Sequence, residues 1–251
     1  MDYSLVAAVN NETLFLSSLG NSPDIGSAVE VIQQRNFASA AKAYNDAWRR
    51  ASGTILVFLH QDVYLPRGWF EDVSNAISKL ARNDPNWGGL GVWGVDGKGQ
   101  GWGNLVCTGV GRRLGKDFDD PQPVRTLDEL ALIVRRDAGF RFDERLAGYH
   151  FYGSDLCLEA SQAGKRCYAI SALCVHNTNS YGMLPWGFWR AFLYLRRKWW
   201  RELPIITPCI SITKFGLPAI RWNLARAKNI LLRRHQTRHR VLDPSRLLTN
   251  D

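Results

Sequence analysis

Residues 38–63 read ASAAKAYNDAWRRASGTILVFLHQDV, and the fold turns on this stretch. Ala38–Ala51 is built from good helix formers, with Ala, Lys and Trp in helical positions and Gly53 as the stop. Thr54–Leu59 then runs TILVFL with no polar alternation, the pattern of a strand buried on both faces. Working outward, Leu5–Val9 and Ala28–Gln33 read as earlier strands, each closed by a polar stop. Downstream, Arg67–Arg82 returns to helical spacing, Leu90–Val95 is strand-like, and after the glycine-rich stretch regularity returns at Leu127–Val134. Ser154–Ala163 is a helix capped by Gly164, and Tyr168–Val175 is a last strand leading to His176. Strands alternating with crossover helices predict an open, mostly parallel α/β sheet with flanking helices. In such sheets ligands bind beyond the carboxyl ends of the strands. The polar residues there are Asn10 and Asn11, Gln33 and Gln34, and His60-Gln61-Asp62.

Residues 94–125 are glycine-rich without a fixed period. A dinucleotide-binding glycine fingerprint has to open a helix straight after a strand. No helical pattern follows, so the stretch reads as loops or hairpins beside the site.

Composition bounds the rest. The chain has 251 residues, 45% hydrophobic and 22% charged, which excludes a disordered chain, a collagen and a coiled-coil rod. Residues 1–180 hold 18 Lys+Arg against 20 Asp+Glu and residues 181–251 hold 14 against 3, so the net +9 divides as −2 and +11. Two units are expected, a catalytic-type domain over 1–180 and a basic, Trp-rich helical extension over 181–251. In the extension, PWGFWRAFLYLRRKWWRE (185–202) and the block Ile220–Arg240 interleave apolar side chains with cations. That pattern suits an interfacial helix on an anionic bilayer. It equally suits a helix packed on the domain with a solvated basic face. Nucleic acid is a third partner for so basic a surface, but no recognised binding motif accompanies it. No apolar stretch reaches the ~18 residues of a spanning helix.

Five cysteines cannot all pair, Met1-Asp2-Tyr3 carries an acid, and Leu5–Val9 is too short for a signal core, so a reduced, cytoplasmic setting is expected. Cys167, Cys174 and His176 do not have the spacing of a zinc knuckle.

Three features point to chemistry. Asp62 ends the most apolar strand, where a carboxylate can hold a divalent cation or simply start a turn. Asp155 opens a helix, as an N-cap or as a general base facing a ligand. His176 follows an apolar strand, as a hydrogen-bonded structural residue or as a metal ligand.

The segments AVNNETLFLSSL (8–19), AKAYNDAWRRASGTILVFLHQDV (41–63), GGLGVWGV (88–95), FDERLAGYHFYGSDLCLEASQAGKRC (142–167) and VHNT (175–178), in that order, resemble the family-two glycosyltransferases of the GT-A (Rossmann-like) fold. They are most similar to a bacterial subgroup whose metal motif reads His-Gln-Asp-Val. The resemblance implies that Asp62 grips Mn2+ or Mg2+ on the donor diphosphate, with His60 standing where the family has its first acid. It further implies nucleotide contacts at Asn10, Asn11, Gln33, Gln34, Tyr44, Asn45, His60 and Gln61, and a metal or diphosphate contact at His176. Asp155 matches the catalytic base, with Ser154 where the family has a preceding acid. The implied activity is inverting, metal-dependent transfer of a sugar from a nucleotide donor, a UDP-sugar first, to a glycan or lipid-linked saccharide. The setting would be surface polysaccharide or O-antigen synthesis, with residues 185–240 on the anionic inner membrane face. A non-catalytic sugar-nucleotide or glycan-binding module is the alternative, with a basic nucleic-acid-binding protein behind it.

Overall fold

The structure is a computed structural model that describes residues 1–180, 182–232, 234 and 237–248. Its first half follows the alternation read from the sequence: β1 (Tyr3–Ala8), α1 (Glu12–Ser17), β2 (Glu30–Gln34), α2 (Ala40–Arg50), β3 (Ile55–His60), the short β4 (Val63–Tyr64) and α3 (Trp69–Asn83). β1 pairs in parallel with both β2 and β3. β3 is buried on both faces: Leu56 and Phe58 join the core beneath α2, while Ile55, Val57 and Leu59 join the core against α3. This division is why its sequence shows no polar alternation.

The second half departs from a parallel sheet. β5 (Gly89–Gly91) and β6 (Trp93–Val95) replace a single continuous strand, and the glycine-rich stretch forms β7 (Gly101–Cys107), β8 (Arg112–Gly115) and β9 (Gln122–Val124). There follow β10 (Thr126–Leu127), β11 (Ala131–Arg135), α4 (Tyr152–Gln162), β12 (Cys167–Ala169) and β13 (Cys174–His176). The main sheet has seven strands in the order β2-β1-β3-β11-β5-β12-β9. β11 runs antiparallel to β3, with Ala131 opposite Leu59, so the start of β11 lies beside the end of β3. The second sheet has the order β10-β6-β7-β13-β4, with β8 on β7. The expected last strand 168–175 is thus split between the two sheets.

Part of the basic extension packs against the rest of the chain. α5 (Trp186–Lys198) buries Phe188, Ala191, Phe192 and Leu195 in the same core as α2 and α4. Ile205 and Ile212 pair through two backbone hydrogen bonds (2.9 and 2.8 Å) at the base of a hairpin, and both join that core. α6 (Leu217–Leu231) is mostly exposed, with Ala219 buried. Of the block 220–240, residues 233, 235 and 236 lie outside the described residues. Among the described residues no helix is long and apolar enough to cross a membrane. The five cysteines are free, four of them buried.

Candidate metal and catalytic site

His60 is the last residue of β3, Asp62 lies in the turn into β4, and His176 ends β13. The antiparallel pairing of β13 with β4 sets His176 opposite Val63, so two positions far apart in sequence become neighbours. Their ligating atoms lie within 4.8 Å of one another. Asp62 Oδ1 is 3.5 Å from His176 Nε2 and 3.9 Å from His60 Nδ1. Burial pushes the Asp62 carboxyl up, but His176, His60 and Arg240 outweigh it and hold the group well below the usual carboxylate range. Burial also opposes a charge on His176, yet Asp62 and Cys107 prevail and its pKa is pushed up to about 10.

Tyr152 OH lies between His60 Nε2 (2.8 Å) and Glu129 O (3.1 Å) and holds the imidazole from behind. The His60 Nδ1 edge faces Asp62, and burial lowers the pKa of the ring. Two imidazoles and an ionised carboxylate form a donor set for a divalent cation, which on binding would displace the proton that Asp62 and Cys107 hold on His176. The residues fit the Mn2+ or Mg2+ that the sequence implied.

A second acidic group adjoins this cluster. Asp128 and Glu129 sit in the turn between β10 and β11, whose start meets the end of β3: His60 N donates to Leu130 O at 3.0 Å. Burial and the Asp128 charge raise the Glu129 carboxyl to about 8, against a lowering by the backbone amides of Phe151 and Gly153. Those amides belong to the first turn of α4. Phe151 stands there in the left-handed region (φ 64°), a costly conformation for a bulky residue, with its ring packed on Phe188. At Gly153 a Cβ would come 2.9 Å from Leu127 O, so glycine lets α4 close against the strand end that carries the two acids. Cys209 Sγ, at the tip of the 205–212 hairpin, lies 3.9 Å from Asp128 Oδ2.

The other residues singled out in the sequence separate into three groups. Gln61 ties two strand ends together: its Oε1 accepts from Asn10 N (3.1 Å) and Asn11 N (3.0 Å), and its Nε2 donates to Asn10 Oδ1 (2.6 Å). Asn11 also caps α1 through Leu14 N. Asn10 and Asn11 remain exposed beside the cluster, and Gln33 bonds Arg35 at the end of β2.

Gln34, Tyr44 and Asn45 are engaged within the fold. Gln34 is buried and bonds Ala43 O, Asp46 and Arg50. Tyr44 lies among Phe58, Phe142 and Tyr152. Asn45 exchanges hydrogen bonds with the backbone of Phe142. The inward face of α2 carries Tyr44 and Asn45 into the core.

Asp155 is likewise engaged within the fold. It is 1% exposed, and both its oxygens are taken: Lys198 Nζ at 2.8 and 2.9 Å, Trp199 Nε1 at 2.6 Å. Lys198 also reaches Asp143 (2.8 Å) and Glu159 (2.7 Å), so this acidic cluster joins α4 to α5. Reading by residue type missed Asp128, Glu129, Tyr152 and Arg240; the signal was the adjacent acids in LDELALIV, directly before an apolar strand.

The chain is similar to several known proteins. The model of a family described as "Glycosyltransferase like family" matches residues 4–183. A curated relative, "ATP synthase subunits region ORF 6" of Fuscovulum blasticum, is 34% identical over 128 residues, 48% of this chain and 50% of that protein. The chain thus spans about half the length of the curated relative it matches. Among solved structures, GalNAc-T7 with UDP, GalNAc and Mn2+ superposes with a TM-score of 0.52 at 13% identity, over 80% of this chain and 49% of that one. The mannosyltransferase PcManGT of Pyrobaculum calidifontis, in complex with GDP-Man and Mn2+, gives a TM-score of 0.46 at 15% identity, over 80% of this chain and 63% of that one.

Proposed function

The chain belongs to the glycosyltransferase-like family, and from that premise we propose that it is an inverting, metal-dependent enzyme moving a sugar from a nucleoside-diphosphate donor to a hydroxyl of a glycan or lipid-linked saccharide. The observation that carries the reading is the gathering of His60, Asp62 and His176 at one sheet end, where the turn bearing Asp128 and Glu129 also arrives beside His60. The first three would hold Mn2+ or Mg2+, which when bound neutralises charge on the leaving diphosphate without a proton donor. Tyr152 fixes the His60 ring. Glu129 is the general base in this reading, in place of Asp155. Its raised carboxyl is poised to take the proton of an acceptor hydroxyl near neutral pH, as an efficient base requires. Attack from the face opposite the diphosphate, assisted by one base, inverts the anomeric carbon. Asn10 and Asn11, held by Gln61, and Gln33 lie along the strand ends where a nucleotide would rest.

The His-Gln-Asp-Val identity of the metal motif, a UDP-sugar as donor and a role in surface polysaccharide or O-antigen synthesis belong to the same proposal, as does work at the cytoplasmic membrane face. A thermal-shift panel of UDP, GDP, CMP and dTDP, each with and without Mn2+, tests it. One diphosphate should stabilise the protein only with metal, by about 2.7 kcal/mol at a hundred times its dissociation constant. Asp62→Ala should erase that shift. A folded protein that answers to no nucleotide would refute the reading and leave the non-catalytic glycan-binding module.

A further inference from the structure

The carboxylate assigned to the metal also carries a cation from the far end of the chain. After α6, residues 237–248 lie as a strap along the segment that follows β13. Ser180 N donates to Arg238 O and Arg238 N to Ser180 Oγ, both at 3.0 Å. Arg240 N donates to Asn179 Oδ1 at 3.0 Å. Asn177 is the joint: its side chain exchanges hydrogen bonds with Val241 (2.8 and 2.9 Å), and its backbone N donates to Asp62 O (2.8 Å). So anchored, Arg240 reaches into the site, with Nη2 3.3 Å from Asp62 Oδ2 and Nε 3.1 Å from Asn177 O. The strap lies outside residues 4–183, the span shared with the family.

The two oxygens of Asp62 divide the work. The imidazole nitrogens approach Oδ1, while Arg240 approaches Oδ2. The guanidinium therefore approaches a different oxygen of Asp62 from the imidazoles. Its side chain is 36% exposed, and among the described residues its Nη1 makes no hydrogen bond. A planar fork with one tooth spent on a carboxylate and another unengaged can take a phosphate oxygen. A diphosphate bound to one divalent cation keeps negative charge, and with both imidazoles given to that cation Arg240 is the Lys or Arg that, among the described residues, pairs with Asp62.

We propose that Arg240 is a ligand of the donor's diphosphate, so that the C-terminal strap forms part of the nucleotide site. This rests on the donor site of the proposed function. Full-length Arg240→Ala, Arg240→Gln and Arg240→Lys proteins would be titrated with UDP, GDP and inorganic pyrophosphate at saturating Mn2+. Mn2+ alone would be titrated in parallel by electron paramagnetic resonance, and folding checked by thermal melting. The Ala and Gln variants should bind the diphosphate that the wild type prefers, and pyrophosphate, about 10- to 100-fold more weakly, the range for one charge-assisted hydrogen bond. Lys should recover part of the loss, because it restores charge without the fork. Affinity for Mn2+ alone should hold or rise, because a cation beside Asp62 is removed, while diphosphate affinity falls.

Unchanged diphosphate affinity in folded variants would overturn the proposal and reduce Arg240 to a tie for the strap. Several-fold tighter Mn2+ binding, with no loss of diphosphate, would overturn it in favour of a competitor for the metal seat. A wild-type protein that binds Mn2+ but no diphosphate would overturn the donor site itself, and this inference with it.

Discussion

Two carboxylates compete for the role of base, and their surroundings assign them different work. Asp155 is saturated by Lys198 and Trp199 in the core, whereas Glu129 is raised to about 8 beside the metal cluster. Glu129→Gln should lower turnover by about 10²- to 10⁴-fold with little change in donor affinity, the usual range for a lost general base. Asp155→Asn should keep most of its turnover in whatever fraction stays folded. In the wild type, kcat/KM should rise with pH and level off above about 8, as the carboxyl loses its proton. The same shift has a consequence for stability. Between the ordinary value of 4.5 and about 8 the folded state holds a proton that the unfolded chain has released, so stability falls as pH rises through that window. Glutamine carries no such dependence. Glu129→Gln should therefore gain in Tm over the wild type progressively across that window and hold a constant advantage above it. A variant that loses activity while gaining alkaline stability separates the base from a merely structural acid; a parallel loss of both would assign Glu129 to the fold.

At the scale of elements, the seam between α4 and α5 depends on one cation. Lys198 faces Asp143, Asp155 and Glu159 within 3 Å and is 14% exposed. Lys198→Ala would leave those carboxylates together without it, a loss of about 3–5 kcal/mol for a broken buried pair. Thermal melting should show the defect at pH 8 and a smaller one near pH 5, because burial already raises the Asp155 carboxyl towards protonation. An equal defect at both values would mean that packing of the lysine stem, not charge, makes the seam.

Legibility also divides by element. β1, β2, α2, β3 and α3 could be read because local pattern and tertiary burial agree there: TILVFL is apolar throughout and is buried on both faces. The acids were hidden by strand direction. A parallel reading of Leu127–Val134 puts its start at the opposite edge from Asp62, whereas antiparallel β11 brings Asp128 and Glu129 to that edge. The partners of Asp155 were not legible because a carboxylate near a helix start looks the same in sequence whether it faces a ligand or a lysine 43 residues away. His176 is in place through β13–β4 pairing, which no local pattern encodes.

Taken whole, the molecule is electrically lopsided, with +11 in its last 71 residues against −2 in the rest. Packing of α5 uses only part of that extension. Trp200 (63% exposed) and Phe215 (70%) stand out beside Arg196 and Lys214 around a cavity of about 820 Å³ at the meeting of the α5 end and the α6 start. From the same cavity the 205–212 hairpin runs to Cys209 and so to Asp128, linking this face to the acidic end of the site. Exposed rings among cations suit the interface of an anionic bilayer, where apolar burial and charge attraction add. The protein should therefore sediment with vesicles containing phosphatidylserine or phosphatidylglycerol and leave pure phosphatidylcholine vesicles in solution. A Trp200→Ala/Phe215→Ala double variant should weaken the binding several-fold, since two rings are lost from the apolar term. Raising salt should weaken it further by screening the cations. Because neither ring touches the metal cluster, the double variant should keep its activity on a water-soluble acceptor and lose it on a membrane-embedded one. If salt alone governs binding, the rings are idle, and comparable retention on DNA would turn the basic face towards polyanions in general.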